Sequence, residues 1–135
     1  MRKLMLMACC LSFVPSVFAA APYDGSVPLL CAALTIQECG NDGGECHLRR
    51  AEEVNIPPFV KIDVAQKTIA STGAESRQAA IQRLEHADGR LVMQGGQGGR
   101  SWSMVIGEET GKMSASVVDD EVGFVIFGAC TPLAK

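Results

Sequence analysis

The side chains able to do chemistry in this 135-residue sequence are few and scattered. The most conspicuous run is Gln94-Gly95-Gly96-Gln97-Gly98-Gly99-Arg100. Glycine-rich loops cradle phosphate when a helix N-terminus follows and aims its free N–H groups at the anion. Here an alternating apolar segment begins at Ser101-Trp102, and no Lys-Ser/Thr pair closes the motif. The run therefore reads as a hairpin connection, with Arg100 as a candidate contact for an anion. His47 and His86 have no second histidine three or four residues away, the spacing at which a helix offers two imidazoles to one metal. Both read as solvent-facing. Serine, histidine and aspartate are present, but no Gly-x-Ser-x-Gly elbow is. The acidic groups Glu52-Glu53, Glu108-Glu109 and Asp119-Asp120-Glu121 look like solvated turns. Asp42 and Glu45 offer too few oxygens for a calcium loop. No catalytic residue, cofactor site or metal site is assigned.

Sulfur is more informative. Of six cysteines, Cys9 and Cys10 fall in a segment with the three parts of a secretory signal. Arg2 and Lys3 give the positive start, residues 4–14 the apolar run, and Val17-Phe18-Ala19 places small residues at −3 and −1 of a cut after Ala19. The apolar run is about 11 residues where a spanning helix needs about 20, so a retained anchor is not expected. Leu6-Met7-Ala8-Cys9 resembles a lipobox, but too little apolar sequence precedes Cys9 and more follows it. The expected division is a signal peptide over 1–19, an extended lead-in over 20–28 and one domain over 29–135.

Cys31, Cys39, Cys46 and Cys130 then remain, an even number that reads as two disulfides in an exported domain. Cys39 and Cys46 flank a turn-rich loop, and Cys31 and Cys130 stand at the two ends of the folded region. The expected pairs are Cys39–Cys46 and Cys31–Cys130. Cleavage leaves ten basic against 15 acidic residues, a net charge of about −5. An acidic balance without a basic run argues against nucleic acid and anionic membranes as partners. No later stretch is long and apolar enough to span a bilayer as a helix.

The elements that must hold these residues read as strands. Val60-Lys61-Ile62-Asp63-Val64, Trp102-Ser103-Met104-Val105-Ile106 and Met113-Ser114-Ala115-Ser116-Val117 alternate apolar and polar, a period of two that suits half-buried strands. Gly123-Phe124-Val125-Ile126-Phe127-Gly128-Ala129-Cys130 is apolar on both faces and reads as a central or doubly covered strand. Turn signals separate these runs, Asp88-Gly89 the clearest. Residues 74–87 read as an irregular strand, although Arg77, Ala80, Ile81, Leu84 and Ala87 would also form a helical stripe. The whole is mainly β, an antiparallel meander in a small closed or partly open barrel of about seven or eight strands. A two-sheet sandwich, or an α+β fold with a helix around 75–87, is the alternative. Closing a meander sets its first strand beside its last, which brings Cys31 to Cys130. If the interior is not filled, Trp102, Met104, Ile106 and Phe124 line a ligand cavity.

Several stretches together resemble an uncharacterised group of small exported bacterial proteins with a four-cysteine framework. They are Pro28-Leu29-Leu30-Cys31-Ala32, Gly43-Gly44-Glu45-Cys46, Asn55-Ile56-Pro57-Pro58-Phe59, Gly99-Arg100-Ser101-Trp102-Ser103-Met104, Glu109-Thr110-Gly111-Lys112-Met113 and the strand ending Cys130-Thr131. The resemblance implies export and the cysteine framework and carries no site residue. The expected function is a non-catalytic periplasmic domain that binds a small apolar molecule. The alternative is a protein-binding or inhibitory module with the Cys39–Cys46 loop as its first candidate, and a hydrolase is the third class.

Overall fold

The computed structural model describes residues 21–74 and 76–133. The signal-peptide reading and the cut after Ala19 lie outside them. Nearly every regular element is a strand: β1 (Leu29–Gly40), β2 (His47–Arg49), β3 (Phe59–Asp63), β4 (Thr68–Ser71), β5 (Gln78–Ala80), β6 (Arg83–Ala87), β7 (Arg90–Gln97), β8 (Arg100–Gly107), β9 (Lys112–Val118) and β10 (Val122–Pro132). Among the described residues one 3-10 turn, Ala51–Glu53, interrupts them. The sheet runs β5-β4-β3-β1-β10-β9-β8-β7-β6, all neighbours antiparallel, with β2 paired to the far half of β1. First and last long strands are neighbours, as closure requires.

The two edges of this sheet, β5 and β6, are consecutive in the chain. Only Ile81 and Gln82 separate them, and both bridge the gap: Ile81 N–H donates to the Lys67 carbonyl and Gln82 N–H to the Gln94 carbonyl. Residues 78–87 thus form one bent strand, paired with β4 before the corner and with β7 after it. The result is a partly open, curled barrel. The segment with the helical stripe is the irregular strand, because each half has a partner strand and Ile81 turns into the core at the corner.

Alternation places the core as the sequence reading expects. Leu29, Cys31, Ile62, Leu91, Met93 and Ile106 are fully enclosed, each apolar side chain of this size worth about 1.5–3 kcal/mol on burial. Asp88 and Gly89 both adopt positive φ (50° and 70°), and Gly98 and Gly99 do the same at 60° and 79°. Such pairs match the twist of two-residue hairpins, so the glycine run joins β7 to β8, with Gln97 opposite Arg100.

One expectation needs correction. The lead-in is not extended: it turns over 22–27, with Asp24 N–H bonded to the Ala21 carbonyl and Gly25 buried at positive φ. Space at Gly25 is bounded by Val64 and Leu91, and the Tyr23 ring lies over Gly111, so the lead-in crosses one end of the barrel. Of the two readings of β10, central or doubly covered, the first holds: it lies mid-sheet and is covered on one face. Phe124, Ile126 and Cys130 are buried, whereas Val125 and Phe127 stand on the outer face, Phe127 47% exposed.

Candidate functional site

Both expected disulfides are present, Cys31–Cys130 and Cys39–Cys46. Cys31 and Cys130 are direct partners in the β1–β10 register, with Cα atoms 4.0 Å apart. Two disulfides indicate an oxidising, extracytoplasmic environment. The Cys39–Cys46 loop is exposed throughout and tied to the β9–β10 turn, where Asn41 donates from its backbone to Glu121 and from its side chain to the Asp120 carbonyl.

The interior is packed at one end and hollow at the other. Beneath the lead-in, Leu29 pairs with Ile62, and Leu91 with Ile106, large side chains meeting large ones. Towards the opposite end the inward positions shrink to Ala33, Ala79 and Ala115. There a cavity of about 250 Å³ opens to solvent. Its floor and walls include Ile69, Trp102, Met104, Met113, Val117 and Ile126, and Cys31 brings the disulfide into the lining. Cavities of about 150 Å³ with such walls stay dry and take up benzene. This one is larger and, unlike those, open on one side.

Of the four residues named for a ligand cavity, Trp102 and Met104 line this one. Ile106 and Phe124 do not. Ile106 is fully enclosed between Leu91 and Met113, and Phe124 is buried beyond Val117, so both fill the interior. Strand alternation tells inward from outward but not the height along the barrel at which filling stops. The contributions of Ile69, Met113, Ala115 and Ile126 escaped sequence reasoning. Their inward position on alternating strands is the only signal that marks them, because side-chain size does not fall steadily along β8 (Ile106, Met104, Trp102) or β9 (Met113, Ala115, Val117).

Trp102 owes its position to Gly95, its partner across β7–β8. A methyl group at Gly95 would meet the indole at 2.5 Å and the Ala80 carbonyl oxygen at 2.6 Å, so only glycine lets the ring lie against this corner. The Nε1–H of Trp102 is buried and has no hydrogen-bond partner. A buried donor left unpaired costs about 1–3 kcal/mol.

Polar residues gather at the mouth: Asn55, Arg77, Gln78, Gln97 and Arg100. Arg77 donates from Nη1 to the Asn55 carbonyl at 2.8 Å, and Arg100 from Nε to Asp119 Oδ2 at 3.1 Å. Asp119 also accepts from the backbone N–H groups of Val122 (2.8 Å) and Glu121 (3.0 Å). Those two donors first, then Arg100, hold its carboxyl below the usual range. A second recess of about 400 Å³ lies around Gln82, Arg83, Gln94 and Ser101. Its walls are polar, so a ligand there gains little by leaving water.

The histidines lie elsewhere. His47 is exposed on β2. His86 Nδ1 pairs with Glu108 Oε1 at 2.6 Å, and among the described residues no serine hydroxyl bonds to the ring. A base and its orienting carboxylate are thus present without a nucleophile beside them. No protein-family model matches this chain, and no curated protein or solved structure is significantly similar to it.

Proposed function

We propose that this protein is an exported, periplasmic binding domain that holds a small apolar molecule in the hollow end of its barrel, without chemistry. The observation that carries the reading is the 250 Å³ cavity walled by Met104, Met113, Ile126 and the Trp102 indole. Water held there forgoes hydrogen bonds that an apolar occupant does not need, so displacement favours the ligand. The disulfide environment supports a location outside the cytoplasm.

Trp102 is the only tryptophan, so its emission reports on the cavity without a label. Titration with 1-octanol is expected to change that emission saturably. Ala115→Phe, which fills the space opposite Met104, should abolish the change while the protein still melts cooperatively. A native chain whose emission drifts linearly with octanol, or a filled variant that binds as well, would count against the reading.

A protein-binding module is the second reading, and one observation favours it. Leu34, Leu48, Phe59, Val125 and Phe127 lie exposed on the outer side of β1, β2, β3 and β10, continuous with the disulfide-locked loop. Contiguous apolar surface of this kind marks interaction sites. Phe127→Ser separates the two: it should leave octanol affinity unchanged on the first reading, and stability within about 0.5 kcal/mol because the ring packs against little. If octanol affinity falls with Phe127, the probe is on the outer face and the cavity reading fails.

A further inference from the structure

The cavity is lined unevenly in charge. The chain as a whole carries a net charge of −3, yet the lining includes two guanidinium groups, Arg77 and Arg100, and no aspartate or glutamate. Neither arginine is fully engaged. Arg77 has no carboxylate partner among the described residues, and its Nη1 donates to a neutral carbonyl, that of Asn55. Arg100 meets Asp119 through Nε alone, which leaves the outer fork of its guanidinium open. That outer fork is the part which grips carboxylate or phosphate in two parallel hydrogen bonds. Below the mouth the walls turn apolar at once, with Ile69, Met104, Met113 and Ile126. An apolar pit under two cations is complementary to one kind of molecule.

We propose that the occupant is an amphipathic anion, a short acyl or aryl carboxylate or its equivalent, whose apolar body fills the cavity while Arg77 and Arg100 hold its head group at the mouth. The proposal rests on the cavity-binding reading and adds the head group. Specificity comes from the mouth and most of the affinity from the pit. A neutral molecule of the same shape enters but leaves the guanidinium groups in water. A cationic one places like charge against like charge.

Three probes of one chain length test this on the full mature protein: octanoate, 1-octanol and octylammonium, each read through Trp102 emission and thermal shift at fixed ionic strength. Octanoate is expected to bind about tenfold tighter than 1-octanol, the size of one charge-assisted hydrogen bond, and octylammonium weakest. In Arg77→Gln/Arg100→Gln the preference should vanish while 1-octanol binding persists. Arg77→Gln alone, which leaves the Arg100–Asp119 pair intact, should lose part of it and guards against a folding defect in the double variant. If 1-octanol binds as well as octanoate, or the preference survives in the double variant, the head-group assignment is wrong and the cavity reading stands. If none of the three binds saturably, both fall.

Discussion

Cys31→Ala/Cys130→Ala is expected to melt about 15–20 °C below the native chain, the largest effect of any change that leaves the strands' own pairing intact. The two cysteines are 99 residues apart in sequence and directly opposed on the first and last long strands. Without the bond, the unfolded chain recovers the freedom of almost the whole domain. The chain-entropy model sets this at about 4–5 kcal/mol, against a total stability of about 5–15 kcal/mol for a domain of ordinary size. The second bond spans only seven residues in an exposed loop, for which the same relation gives about 2.5 kcal/mol. Differential scanning calorimetry on both double variants checks the ordering. Equal losses, or a shift of a few degrees for Cys31/Cys130, would mean that the sheet closes without its clamp. Because Cys31 also lines the cavity, octanol affinity should weaken in the first variant and hold in the second.

Gly128→Ala comes next. Gly128 lies on the inner face of β10, opposite Ala33, where the β1–β10 register shifts between Ala33 and Thr35. A Cβ atom there would overlap the backbone carbonyl of Ala32 and stand 2.6 Å from the Met113 methyl. The methionine can swing away. The carbonyl cannot, because it belongs to the ladder that pairs the closing strands. One added methyl group in a tight core costs about 1–3 kcal/mol, and a clash with backbone lies at or beyond the upper end. Denaturant unfolding should show a loss of about 3 kcal/mol or more. A loss below about 0.5 kcal/mol would show that the strands separate at this point with ease, and the bulge would then be a soft joint.

The period of two in β3, β8 and β9 made the inward faces legible, because a strand cannot present successive residues to one side. Asp88-Gly89 and Gly98-Gly99 announced hairpins through their tolerance of positive φ. The cysteines announced closure. Other features depend on partners remote in sequence. Whether Val125 and Phe127 are covered is decided by what packs outside β10, and their apolar character alone does not tell a central strand from a doubly covered one. Ile106 and Trp102 alternate identically, yet one meets Leu91 and Met113 in a filled layer while the other borders open space. That difference follows from the lead-in, which covers only one end. The corner at Ile81 was ambiguous because Ala, Gln, Arg and Leu suit a helix locally. Pairing with two different strands overrides that preference. The mouth was half legible: Arg100 was noticed for its neighbours, whereas Arg77 entered only when the corner folded it over the same opening.

Intermolecular nuclear Overhauser effects from bound 1-octanol to the protein's methyl groups locate the ligand directly. A barrel hollow at one end predicts contacts to the Met104, Met113, Ala115 and Ile126 methyls and none to Leu91 or to Leu34. Contacts confined to Leu34, Leu48 and Val125, or no contacts at all, would contradict the hollow interior and the binding role built on it.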